Sequence, residues 1–93
     1  MIKVIIERKI ALGMEPNYDA AIKDTLRAIL EAPGYMSGAN YKDAGDENHR
    51  VIIANWRSLA AWQKWQGSEE RRKVIASIQP ILVTPEKITV LTA

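Results

Sequence analysis

The spacing of apolar residues in this 93-residue chain switches repeatedly between two and three-to-four. A chain patterned that way must alternate strands with helices. Ile2, Val4, Ile6 and Ile10 share one face at period two, and Ile5 adds an apolar side chain on the other. Gly13 interrupts the run, and Pro16 stands where a first helical residue is tolerated. From Pro16 to Ala32 the interval lengthens: Tyr18, Ile22, Leu26 and Ile29 form one stripe opposite Asp19, Lys23, Arg27 and Glu31, which predicts an amphipathic helix ended by Pro33-Gly34. Tyr35 to Asp43 alternates weakly and carries Ser37, Gly38 and Asn40, the marks of an edge strand. Ala44 to Asn48 reads as a turn. Arg50 to Trp56 is almost continuously apolar and predicts an inner strand covered on both faces.

Ser58 then offers a cap to a short helix with Leu59, Trp62 and Trp65 in line, ended by Gly67. Ser68 followed by Glu69-Glu70 starts a further helix, its acids set against the positive helix end, with Val74, Ile75 and Ile78 as its buried stripe. After Thr84-Pro85, Lys87 to Thr92 reads as a last strand. The order is that of a ferredoxin-like βαββαβ unit of the α+β class: a four-stranded antiparallel sheet with helices on one face. The first crossover leaves a gap for the third strand. Strands one and three, the most apolar, are therefore expected in the middle and the second at an edge. A single domain spanning residues 1–93 is expected at this length.

Composition narrows the chemistry. Cysteine is absent, which removes disulfides, thiolate nucleophiles and sulfur-ligated metals, and one histidine cannot build a multi-histidine metal site. Thirteen basic against eleven acidic residues leave a net charge of +2, too little for a phosphate-binding surface. No apolar run approaches the 18 residues that span a membrane, and no signal peptide opens the chain, so a cytoplasmic protein is expected. The same strand order builds RNA-binding modules. Those display stacking aromatics on the sheet, whereas this chain has no phenylalanine and places Val, Ile and Ala on its third strand, so no nucleic-acid partner is expected. Apolar residues on both faces of Val51 to Ala54, together with Ile5, leave a greasy sheet back that a second copy would cover. A homodimer packed through sheet faces is expected.

Three stretches carry a family resemblance: Pro33-Gly34-Tyr35; Val51 to Trp56 running on through Ser58-Leu-Ala-Ala-Trp62-Gln-Lys-Trp65-Gln-Gly-Ser68-Glu69; and Ile78-Gln-Pro80-Ile-Leu82 before the closing strand. Together they resemble the antibiotic biosynthesis monooxygenase family of dimeric α/β barrels. The resemblance implies a homodimer and, as the best single activity, cofactor-independent oxygenation of a small aromatic or quinol substrate. A non-catalytic ligand-binding or regulatory dimer of the same fold is the rival. Haem-degrading members place an axial histidine ten residues after the tryptophan matched by Trp65. Here that position is Ile75, and Glu7 falls near their first-strand asparagine, so no haem is expected and no other cofactor is indicated. In the phenol and quinol oxygenases, Trp56 matches a tryptophan beside the substrate, while their asparagine four residues earlier falls on Ile52.

Such chemistry asks for a dry pocket of aromatic and aliphatic walls with a few polar groups. Trp56, Trp62 and Trp65 are the candidate walls; Asn55, Tyr41, Tyr18 and Arg8 are the candidate polar contacts. Each also has a structural duty. Trp62 and Trp65 suit a core, and Trp56 suits core or pocket equally. Tyr18 would anchor the first helix, and Asn55 would cap a turn. Arg8, on an otherwise apolar strand face, would pair with Glu7 or Glu86. Arg71-Arg72-Lys73 reads as a solvated face, and His49 as part of a polar turn.

Overall fold

A computed structural model describes all 93 residues. The strands are β1 (Ile2–Lys9), β2 (Tyr35–Asp43), β3 (Asp46–Trp56) and β4 (Lys87–Thr92). The helices are α1 (Glu15–Leu30), α2 (Leu59–Gln66) and α3 (Glu69–Ile75), with a single 3-10 turn at Gln79–Ile81. The sheet is antiparallel in the order β2-β3-β1-β4. The two apolar strands are central and the polar, glycine-containing β2 is an edge, as their composition predicts. No helix is long and apolar enough to cross a membrane.

Local chemistry sets the element ends. Ser58 Oγ accepts the Ala61 N–H and Ser68 Oγ accepts the Arg71 N–H, both at 3.1 Å, so each short helix has one free donor satisfied by a capping hydroxyl. Gly34 turns the chain into β2 with φ of 88°. A Cβ there would sit 2.5 Å from the Ala61 Cβ, so glycine is required for both backbone and packing.

The side-chain period of two splits β1. Ile2, Val4, Ile6 and Arg8 turn to the helices and are buried, while Lys3, Ile5, Glu7 and Lys9 face the open side. Register then gives β3 its faces: Arg50, Ile52, Ala54 and Trp56 inward; His49, Val51, Ile53 and Asn55 outward. Under the helices lie two apolar clusters. Ile2, Val4, Ile6, Ala54 and the three tryptophans form the first. Ile10, Tyr18, Ile22, Ile75, Ile78 and Ile81 form the second. Each large apolar side chain so buried contributes about 1.5–3 kcal/mol.

Several expectations need correction. The β2–β3 turn is shorter than its polar sequence suggests, and β3 begins at Asp46 rather than Arg50. Asp43 Oδ1 accepts the Gly45 N–H at 2.8 Å and Asp46 Oδ1 the Asn48 N–H at 3.0 Å, closing a tight hairpin. His49 is consequently a strand residue. Within one chain the helices cover a single face of β3, and Val51 and Ile53 are half-exposed on the face expected to meet a second copy. Leu59 is 43% exposed and adds nothing to the tryptophan stripe. On α1, Thr25 is buried while Leu26 and Ile29 are only half-buried, and Leu26 borders an open groove beside the helix.

Candidate functional site

The hollow lies where the two apolar clusters fail to meet. Its floor is the inner sheet face at Ile6, Ile52, Ala54 and Trp56. Its roof is Ile22, Thr25, Leu26 and Ile29 of α1 with Trp62, Trp65, Arg71 and Ile75 of α2 and α3. The indoles take up most of the space. Trp56 meets Tyr35 edge-on at a centroid distance of 5.4 Å and Trp62 at 5.7 Å, and it stacks with Trp65 at 6.5 Å. About 30 Å³ stays empty. That holds water and not an aromatic ring, for which pockets of roughly 300–1,000 Å³ are usual. Ile22 and Leu26 also line an open groove of about 540 Å³ between α1 and the β2–β3 edge. These two side chains are all that α1 contributes between groove and hollow.

Two polar atoms in this wall have no partner. Trp56, completely buried, donates its Nε1–H to nothing, and the Thr25 Oγ1, on a residue 8% exposed, is equally unpaired. An orphaned buried polar group costs about 1–3 kcal/mol. Two such groups against one hollow mark a place where a polar atom of a ligand or water is expected.

The far end of the hollow is charged. Arg8, 2% exposed, gives its Nε–H and Nη2 to Glu86 Oε2 at 3.0 and 2.9 Å, and its Nη1 to the Tyr18 hydroxyl at 3.1 Å. Arg71 reaches the other Glu86 oxygen at 2.5 Å. Burial pushes the Glu86 carboxyl up, but the Arg71 hydrogen bond and the charges of Arg71 and Arg8 outweigh it and hold the group below the usual carboxylate range. Tyr18 lies with Arg8 and Arg50 at 5.9 and 5.5 Å from its ring centre, and Arg50 bonds Asp19 at 2.6 Å, so α1 is pinned to the sheet by cation–π contacts and an ion pair. Burial raises the Tyr35 phenol above its ordinary value, so it stays neutral. The Tyr35 hydroxyl occupies the place a Cβ would take at Gly38, 2.5 Å away, so glycine alone admits it.

Of the residues singled out in the sequence, Trp56, Trp62, Trp65 and Arg8 line the hollow, and Tyr18 holds Arg8 from behind. Asn55 and Tyr41 do not join them. Asn55 faces the open side and bonds Ser37 Oγ at 3.0 Å, a cross-strand contact rather than a turn cap. Tyr41 pairs with Val51 on the same open side and is 53% exposed. A register shift between Tyr35 and Ser37 inverts the alternation after Tyr35, so Tyr35 faces the helices and Tyr41 does not. Thr25, Tyr35 and Arg71 escaped the sequence reading. Arg71 is not part of a solvated face: its side chain is 11% exposed, while Arg72 and Lys73 are exposed. Its position four residues before Ile75 was the available signal, just as Thr25 sits three after Ile22 and four before Ile29. Ile75 meets the hollow with carbon only.

The only histidine lies on the opposite face. His49 Nδ1 is 2.8 Å from Asp43 Oδ2 and its Nε2 is 3.4 Å from Glu7. The Asp43 hydrogen bond, ahead of an opposing effect of burial and with help from Glu7, raises its pKa.

Comparison with known proteins agrees with this architecture. A family model described as antibiotic biosynthesis monooxygenase matches residues 1–77. A crystal structure of an antibiotic biosynthesis monooxygenase superposes with a TM-score of 0.90 at 18% identity, covering 100% of this chain and 98% of that one. Rv0793 from Mycobacterium tuberculosis gives 0.87 at 21% identity, over 99% and 93% of the two chains. SnoaB, a cofactor-independent oxygenase from Streptomyces nogalater, gives 0.88 at 13% identity, over 99% and 91%. At these identities the likeness is one of fold. No curated protein matches the chain.

Proposed function

The chain belongs to the antibiotic biosynthesis monooxygenase family, and from that premise we propose that it is a cofactor-independent monooxygenase of small aromatic or quinol substrates. The observation that supports this most is the indole-walled hollow with its two unpartnered polar atoms, Trp56 Nε1 and Thr25 Oγ1. An electron-rich aromatic anion reduces dioxygen by itself. The protein must hold the ring, exclude water and hydrogen-bond the ring oxygen. Because the closed hollow holds only a water, a ring enters only after Ile22 and Leu26 swing aside toward the outer groove; Trp62 and Trp65 would then clamp it, and the Trp56 N–H would donate to its oxygen.

For a ring methylene conjugated to a phenol or enol that has already lost its proton to water in solution, the negative charge is shared with the methylene carbon, which forms a C–O bond with dioxygen. A proton from water completes the hydroperoxide, and cleavage of its O–O bond with loss of the second C–H proton leaves a carbonyl and one water. One oxygen atom goes to product and one to water, so no outside reductant is consumed. Oxygen uptake with a panel of hydroquinones and polycyclic phenols tests this. We expect turnover above autoxidation, and a fall of about tenfold or more in kcat/KM for Trp56→Phe, beyond what its loss of folded protein in a parallel melting curve accounts for. Saturable quenching of tryptophan fluorescence without oxygen uptake would instead establish a ligand-binding protein that performs no turnover.

The same reading includes a homodimer joined through the open sheet face, where Ile5, Val51, Ile53 and Leu91 lie together. Sedimentation should give about twice the chain mass of 10.4 kDa, and Ile53→Lys, which sets a charge in the centre of that face, should return the monomer.

A further inference from the structure

The charged groups of the hollow do not balance. Arg8 and Arg71 are the only ionic side chains in its wall, and a single carboxylate, Glu86, serves both. The neighbouring pair Arg50–Asp19 is neutral in sum. One positive charge is left over at a place lined mainly by carbon. Arg8 spends its donors on Glu86 and Tyr18, whereas Arg71 uses one donor on Glu86 and none on any other protein group. The wall also has no proton acceptor of useful basicity. It contains no histidine and no carboxylate, Tyr35 is a neutral phenol, and the Tyr18 hydroxyl is already engaged by Arg8. A guanidinium stabilises an anion but cannot create one by taking a proton.

Resting on the pocket assignment above, we infer that the hollow selects aromatic ligands that are already anionic near neutral pH, acidic phenols, enols or aryl carboxylates, with Arg71 binding the negative oxygen and Arg8 adding its charge from behind. The protein then contributes no base of its own. Ionisation of the substrate carries the pH dependence: kcat/KM should rise through the substrate's own pKa and move with it from one phenol to another. The titratable and charged groups around the site are Glu86 ahead of β4, Tyr18 and Asp19 of α1, Arg50 of β3 and Tyr35 of β2.

The experiment is calorimetric titration of the full chain with 2-naphthoate and with its neutral isostere 2-naphthamide. We expect the anion to bind at least tenfold more tightly. Arg71→Gln should bring the ratio near one, and Arg71→Lys should restore part of it. Glu86→Gln supplies the opposite sign. Removing the only compensating carboxylate raises the local charge from +1 to +2 and should tighten 2-naphthoate several-fold, a gain that misfolding cannot imitate. Equal binding of the two probes overturns the charge assignment while leaving the pocket standing. Binding of neither overturns the pocket and the inference together. Preferential binding of the anion without oxygen uptake from any phenol upholds the inference and removes the oxygenase.

Discussion

Thr25 and Trp56 concentrate the case for a site into two atoms. A threonine on a helix usually bonds a backbone carbonyl one turn back, and a buried indole N–H usually finds an acceptor. Neither does here. Thr25→Val keeps the shape and deletes one orphan, so the free protein should become more stable by about 1 kcal/mol. That is a rise of several degrees in melting temperature for a chain of this size. Aromatic ligands should bind the variant more weakly. A ligand that binds the variant as well as the parent would show that the hydroxyl plays no part in recognition. Arg8 stands out in the sequence because a cation on an apolar strand face breaks the local pattern, and Trp56 because the family resemblance places it beside a substrate. Thr25 broke nothing: threonine is unremarkable on a helix, and only the packing above it shows that its hydroxyl meets no partner.

Helix α1 decides whether the hollow can be used. It is fastened near its start through Tyr18, Arg8 and Arg50, while Ile22 and Leu26 stand between the hollow and the outer groove. Opening the site therefore asks for movement of two side chains, or of the half of α1 beyond Tyr18, without unfolding the sheet. Leu26→Ala should cost about 1–3 kcal/mol in stability, less than a full core truncation because the side chain is half-exposed. It should also speed ligand association several-fold in stopped-flow quenching. An unchanged association rate would mean that ligands arrive by another path. The stripe Tyr18, Ile22, Leu26 and Ile29 was legible from spacing alone. That three of its four residues roof a void was not, because periodicity reports which face turns inward and not how closely the opposite layer approaches.

Across the whole molecule, charge is arranged by layer. On the helix side Arg8, Arg71 and Glu86 close the hollow. On the open side His49, Asp43, Glu7, Lys9 and Asp46 form a polar end to an apolar sheet face. Glu86 is lowered in the folded state, so its contribution to stability is present above the unfolded carboxylate pKa of about 4.3 and is lost as pH falls through the folded value. Acid unfolding of Glu86→Gln should accordingly be shallower than that of the parent below about pH 5. For His49, raised by Asp43, the sign reverses: its contribution is full below about 6.5 and fades as pH rises through the folded value. The order of strands and helices, the central place of β1 and β3, the caps at Ser58 and Ser68 and the inward turn of the tryptophans all follow from the sequence by itself, because spacing, turn chemistry and capping are local and each acts within a few residues. Which face Tyr41 takes, the desertion of Thr25 and Trp56 by hydrogen-bond partners, and the arrival of Arg71 at the Arg8–Glu86 pair, a pairing the sequence offers beside Glu7, were decided by the tertiary structure. They depend on a one-residue register shift and on groups brought together from distant parts of the chain, where no local pattern carries a signal.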